Sequence, residues 1–337
     1  MRLLGITLLI CFTIACGAQR SFEKEPMING VSFVGGPNPI DGSNFNSVKS
    51  IHANYITLMP FAYGDLGKPN IRHSNLNWQW WGESAEGTEK SILVAHEQGL
   101  SVMIKPQLWL DWGSFTGHQE FDSEEDWVQF ENDYREFIMI YAEMSQKHKL
   151  PMFCIGTELC AFAEQRPEYW KQLISDIREV YDGKLTYAAN WDSYKRMPFW
   201  DDLDYIGVDA YFPLDDGVSP TQEELEEGWS KWVNKLQQYS SDYGKKILFT
   251  EWGYRSNDYT GEKPWETGKG QSVNLESQSN AYRATFNQFW DKPWFAGGFV
   301  WKWFPNHGKS GGPGDNRFTP QNKPAEEVLR QEFGQRK

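Results

Sequence analysis

From residue 28 onward the chain alternates short apolar runs with longer amphipathic stretches. Eight runs have the length and composition of strands: 29–35, 55–63, 101–109, 150–159, 184–191, 205–214, the run within 245–255, and 294–304. Between them apolar residues recur at helical steps. The clearest case is 123–147, where Trp127, Phe130, Tyr134, Phe137, Ile138, Tyr141 and Met144 fall three or four apart and acids fill the first turn. Further helices are expected near 45–52, 88–98, 167–181, 275–290 and 324–333, and from a capping box at 219–222, with proline at its first helical position, to about 240. Gly99 stands where a helix stops in a left-handed turn. Strands buried on both faces read as continuous apolar runs. Eight of them alternating with helices predict an α/β fold of the (β/α)8 TIM-barrel type, as a single domain over 28–337.

Two of these strands end alike. The run at 150–159 reads LPMFCIGTEL and delivers Glu158; the run at 245–255 reads KKILFTEWGYR and delivers Glu251. A lone glutamate at a strand end is more often a solvated surface residue. The pair carries more weight, because the glutamates lie 93 positions apart, close to three units of ~31 residues in a barrel of ~250. Glu158 then ends strand four and Glu251 strand seven, at one face of the barrel, and two carboxylates across a cleft equip a protein for glycoside hydrolysis. Side chains alternate along a strand. With Glu158 facing the mouth, Cys154 and Met152 face inward below it, and Glu251 brings Phe249 and Ile247. Strand three adds Lys105, Gln107 and Trp109, strand six Asp209 and Tyr211, and strand eight Phe299, Trp301 and Trp303. The opposite parity would bury both glutamates against helices at a large desolvation cost. Lys105 reads equally well as a substrate contact and as an interior charge paired with an acid.

The 337 residues are 39% hydrophobic and include 17 Trp, 15 Tyr and 21 Phe. Core packing accounts for some of these rings; others suit sugars, whose faces are apolar and whose edges carry hydroxyls. A net charge of −13 argues against nucleic acid, since phosphate binding wants a basic face. Residues 1–16 read as an export signal: Arg2, an apolar stretch at 3–14, then Cys16, too short to span a membrane. Cys16 stands where a lipoprotein signal places its lipidated cysteine, and 17–27 form a polar tether. Thr13 departs from that pattern, so secretion with cleavage near Ala15 or Ala18 stays open beside a membrane-anchored periplasmic or surface location. Cys154 and Cys160, six residues apart and partly along a strand, are too distant to bridge at ~3.3 Å per residue. The glycine and serine pattern at 308–312 lacks the strand–turn–helix setting of a nucleophile elbow, and the histidines show no ligand spacing. No cofactor or metal is expected, and a monomer is.

Five motifs, GTEL at 156–159, NW at 190–191, YIGVDAYFP at 205–213, TEWGY at 250–254 and GFVWKW at 298–303, occur in the order found in glycoside hydrolase family 113, of the retaining clan A. The chain resembles that family over about 28–333. The resemblance implies a β/α barrel and β-mannanase activity on mannan or glucomannan, with Glu158 as acid/base and Glu251 as nucleophile. Tyr211 would steady the nucleophile, Trp301 would floor the subsite where the bond breaks, and Lys105, Trp109, Asn190 and Asp209 would complete the substrate-binding set. Many clan members carry Asn before the acid/base, where this chain has Thr157, so a 2-hydroxyl contact is looked for elsewhere, at Asn190. Two other readings stay open: a clan A enzyme for another β-glycan, and a sugar-binding lipoprotein without catalysis.

Overall fold

A computed structural model describes residue 22 and residues 25–73, 76–111, 114–266 and 272–336. The signal segment, Cys16 and most of the tether lie outside the described residues. The strands are β1 (Ile28–Phe33), β2 (Tyr55–Leu58), β3 (Phe61–Tyr63), β4 (Ser101–Ile104), β5 (Gln107–Trp109), β6 (Met152–Thr157), β7 (Lys184–Asn190), β8 (Ile206–Asp209), β9 (Ile247–Trp252) and β10 (Phe295–Trp303). All but β3 and β5 close into a parallel barrel in the order β1-β10-β9-β8-β7-β6-β4-β2. The helices are α1 (Asn46–Ser50), α2 (Ala85–Glu97), α3 (Glu124–Lys147), α4 (Cys160–Gln165), α5 (Pro167–Val180), α6 (Gln222–Tyr243), α7 (Leu275–Phe289) and α8 (Pro324–Gln335). β6 and β9 are thus the fourth and seventh barrel strands, as the spacing of the glutamates predicts.

Two expected strands are broken, and proline is the physical reason. The run at 55–63 divides into β2 and β3 at Pro60, and the run at 101–109 divides into β4 and β5 at Pro106. Proline has no N–H for a sheet ladder. Beyond the break the two short strands leave the barrel and pair with each other, Phe61 with Gln107 and Tyr63 with Trp109. Lys105 sits at the hinge, its N–H donating to the Leu58 carbonyl at 2.9 Å. The capping box also differs. The N-cap of α6 is Thr221, whose hydroxyl accepts from Glu224 N–H at 3.3 Å while the Glu224 carboxylate accepts from Thr221 N–H at 2.8 Å. Ser219 and Pro220 precede the helix. α4 was not expected, because six residues are too few to show a helical period.

The barrel interior holds Ile28, Met103, Met152, Cys154, Ala188, Leu248 and Phe299. A separate, larger core lies between barrel and helices and takes Trp170, Trp200, Trp229, Trp252 and Trp303 in full. So strand-six and strand-four parity hold, whereas Ile247 and Phe249 face the helices and Leu248 faces inward. The cause is an extra residue in β9: Val208 pairs with Phe249, but the next residue, Asp209, pairs with Glu251. A bulge of this kind re-aims the side chains beyond it. It brings Thr250 and Glu251 together to the mouth. β10 has a similar irregularity against β1, where Val31 pairs with Val300 and Phe33 with Trp303. Trp303 therefore turns outward, and its indole N–H donates to Ser47 Oγ at 3.1 Å. The other end of the barrel is closed by Glu25, which is ion-paired to Lys184 and to Lys246 and accepts from Tyr205 OH at 3.1 Å.

Candidate active site

The mouth of the barrel gathers charge around Glu251. This residue is the last but one of β9 and is almost wholly buried. Its Oε1 is ion-paired to Lys105 Nζ and accepts from Gln107 Nε2 at 3.3 Å; its Oε2 accepts from Tyr211 OH at 2.7 Å. The donors come from three places: the β4–β5 hinge, the start of β5 and the segment after β8. Behind this set lies Asp209, which is fully buried. Its Oδ1 accepts from Thr250 Oγ1 at 2.8 Å, while Oδ2 has no hydrogen-bond partner among the described residues and lies 3.9 Å from Lys105 Nζ.

One ammonium among several carboxyls sets the protonation pattern. Burial alone would lower the Lys105 ammonium, but Asp209 and Glu251 beside it outweigh burial and hold it above the ordinary lysine value. The Lys105 charge is shared, however, and its short contact is to Glu251. Asp209 is left the weaker claim. Burial first, and the Glu251 charge second, push its carboxyl up to about 7.

Glu158 has the opposite setting. It follows β6 with φ +52°, a left-handed backbone that costs a non-glycine residue ~1–3 kcal/mol unless its surroundings enforce it. Three contacts do so. Its N–H donates to the Ala188 carbonyl at 2.8 Å, the next N–H, of Leu159, donates to Tyr187 OH at 2.8 Å, and its carbonyl accepts from Thr116 Oγ1 at 3.4 Å. The Glu158 carboxyl itself receives no hydrogen bond from the described residues. Burial, then the charges of Asp209 and Glu251, raise it well above the ordinary glutamate value, with Lys105 only partly offsetting them. Thr157, before it, spends its hydroxyl on the Pro106 carbonyl at 3.2 Å.

The rim is aromatic. Trp301 lies half-buried with Lys105 Nζ 5.7 Å and Lys302 Nζ 5.2 Å from its ring centre. Trp109, at the end of β5, is 47% exposed. Asn190 ends β7, and its Oδ1 accepts from Trp191 N–H at 2.8 Å. Trp191 in turn stacks on the exposed Trp265 at 5.0 Å. Burial lowers the Lys302 ammonium and the Glu251 charge opposes that in part.

Of the residues singled out in the sequence, Lys105, Asp209, Tyr211 and Glu251 form one connected cluster; Glu158, Trp301, Trp109 and Asn190 stand at the same ends of the strands. Lys105 and Asp209 lie behind Glu251 and are closed off from the cleft surface, so the paired-charge reading of Lys105 is the one the geometry matches. Thr250, Gln107, Lys302 and Trp265 were not singled out as site residues. Strand parity pointed to Gln107; the β9 bulge hid Thr250, and nothing local marks Trp265. Cys154 and Cys160 are buried free thiols. No cluster of three or more His, Cys, Asp or Glu suited to a metal ion occurs among the described residues.

Residues 43–323 match the model of Glycoside Hydrolase Family 113. A family 113 β-mannanase from Alicyclobacillus acidocaldarius, solved in complex with ManMIm, superposes with a TM-score of 0.78 at 26% identity, covering 93% of this chain and 99% of that one. A family 113 β-1,4-mannanase at 22% identity gives a TM-score of 0.78 over 93% and 100% of the two chains. A β-glucuronidase from Ruminococcus gnavus, at 13% identity and a TM-score of 0.63, shares the fold over 92% of this chain and 50% of its own. No curated protein matches the sequence.

Proposed function

The chain belongs to Glycoside Hydrolase Family 113, and from that premise we propose that it cleaves β-1,4-mannosidic bonds in mannan or glucomannan by double displacement. The observation that carries the mechanism is the opposite setting of the two carboxyls. Glu251 is ringed by Lys105, Gln107 and Tyr211, all donors, which suits a carboxylate that must stay charged and aimed. Glu158 has no such donors and is held up towards neutrality, which suits an acid that must keep its proton. In the first step a Glu251 oxygen bonds to the anomeric carbon as the bond to the leaving oxygen breaks, and the Glu158 proton goes to that oxygen. In the second, water attacks the anomeric carbon, Glu158 takes its proton, and Glu251 leaves as a carboxylate. Trp301 offers the sugar ring an apolar face at the point of cleavage.

Substrate identity rests on the mannanase neighbours and on the aromatic rim. The test is a screen of mannan, glucomannan, galactomannan, cellulose and mixed-linkage glucan, with proton NMR of the first products and the variants Glu251→Gln and Glu158→Gln. We expect mannan or glucomannan to be preferred, with the β-anomer formed first. Glu251→Gln should abolish turnover of every substrate. Glu158→Gln should lose roughly 10²–10⁴-fold on polysaccharide and much less in the first step on an aryl glycoside, whose leaving group needs no proton. Preference for cellulose overturns the mannan assignment alone; an α-anomer overturns double displacement; no hydrolysis of any glycan overturns catalysis and leaves sugar binding.

The chain is proposed to be exported and anchored through lipid on Cys16, on the sequence of residues 1–16.

A further inference from the structure

We propose that the groove between the segments following β1 and β10, walled by Trp80, is a second sugar-binding segment that holds neutral hexose units of the polymer away from the bond being cleaved. This rests on the polysaccharide-hydrolase reading above. The groove encloses about 380 Å³, within the range of small-molecule sites. Its apolar wall is Pro37, Pro39, Ile40 and the Trp80 indole, which is 49% exposed. Its polar edge includes the exposed amides of Asn38 and Asn306, which have no hydrogen-bond partner among the described residues. A flat ring with free amide donors and acceptors beside it matches a pyranose, apolar on its face and hydroxylated round its edge.

Three further features narrow the occupant. No side chain lining the groove carries a charge, in a protein of net charge −13, so the ligand is neutral and not a uronate or an amino sugar. The groove is built in advance: Val34 N–H donates to Trp303 O at 2.9 Å, Gly82 N–H to Gly36 O at 2.8 Å, and Asn44 Nδ2 to Pro305 O at 3.2 Å. Gly82 is required there, since a Cβ on it would lie 2.8 Å from Gly35 Cα. The groove also adjoins the active site. Lys302 Nζ lies 5.2 Å from the Trp301 ring and 5.3 Å from the ring of Phe304, which lines the groove. Glu25 lies at the far end of β1, on the opposite side of the barrel from the groove.

The test is chain-length dependence. kcat/KM is measured on mannohexaose and on the shortest manno-oligosaccharide that the wild type cleaves, for wild type, Trp80→Ala and Asn306→Ala. Loss of one stacking surface should lower kcat/KM on mannohexaose by about tenfold for Trp80→Ala, with a smaller loss for Asn306→Ala and less than twofold change on the shortest substrate. An equal loss on both lengths, or none on mannohexaose, overturns the groove. If the wild type cleaves no manno-oligosaccharide, the mannan reading fails separately, and affinity electrophoresis through glucomannan and hydroxyethylcellulose gels then decides: Trp80→Ala migrating with the wild type in both overturns the groove, and weaker retardation of Trp80→Ala supports it.

Discussion

Replacing Tyr211 by Phe removes one hydroxyl and leaves the ring in place. That ring is buried and packs edge-on against Phe318 at 5.8 Å, so folding should be little affected. The hydroxyl is the donor to Glu251 Oε2, at 2.7 Å, and no other described group donates to that oxygen. A hydrogen bond to a charged group contributes ~1.5–3 kcal/mol net. How much of this reaches the rate depends on the step. In the proposed glycosylation step Glu251 would lose charge, so the bond would weaken towards the transition state and its removal would mostly loosen the aim. In deglycosylation Glu251 would regain its charge as it leaves, and the bond would strengthen. The loss should therefore fall chiefly on the second step, by roughly 10- to 150-fold for the range above. On an activated aryl β-mannobioside, where the first step is fast, kcat should drop by that factor, KM should fall with it as the glycosyl-enzyme accumulates, and stopped-flow release of the aryl group should show a burst of one equivalent. A kcat within threefold of wild type, or a loss in kcat/KM without a burst, would refute the assignment of Tyr211 to the departing Glu251.

Asp209→Asn removes a carboxyl whose charge, once it ionises near pH 7, helps hold the proton on Glu158, so the alkaline limb of the kcat/KM profile should move to lower pH; movement upward, or none, would count against that coupling. The same variant tests stability. A carboxyl raised to about 7 in the folded protein, against ~3.9 unfolded, contributes stability that is complete below the unfolded value and is lost as pH rises through about 7, on the order of 4 kcal/mol at most. Thermal melts at pH 4 and pH 8 should therefore show the wild type losing ground to Asp209→Asn as pH rises. At the other end of the chain, Cys16→Ser should release the protein from membranes in cell fractions; a wild type already in the soluble fraction would sink the anchored reading.

The barrel was legible because its strands are buried on both faces and its helices on one, and each condition leaves its own period in the sequence. The limits of that legibility were local. Pro60 and Pro106 could be read as breaks but not as the start of a paired β3–β5 extension, since that pairing joins residues more than forty positions apart. The bulge in β9 leaves no mark on composition, so parity named Ile247 and Phe249 where Leu248 faces inward, while still bringing Glu251 to the mouth. Trp170 falls on the apolar side of the helix expected at 167–181 and Trp80 in a polar loop, and burial agrees: the first is a core ring and the second is free to meet a sugar.

Lys105 connects these observations to the chemistry. It shares the parity of Met103, which faces the barrel interior, and this direction puts its ammonium beside Glu251 and within 3.9 Å of Asp209, with Glu158 close enough to feel the charge. One buried positive charge can balance only one carboxylate; each further one must be desolvated without a partner or hold a proton. The ring of donors gives that single charge to Glu251. Asp209 and Glu158 are then pushed towards their neutral forms by the same arrangement. The setting that the proposed nucleophile and the proposed acid need thus depends on a single lysine, and replacing that lysine should disturb both together.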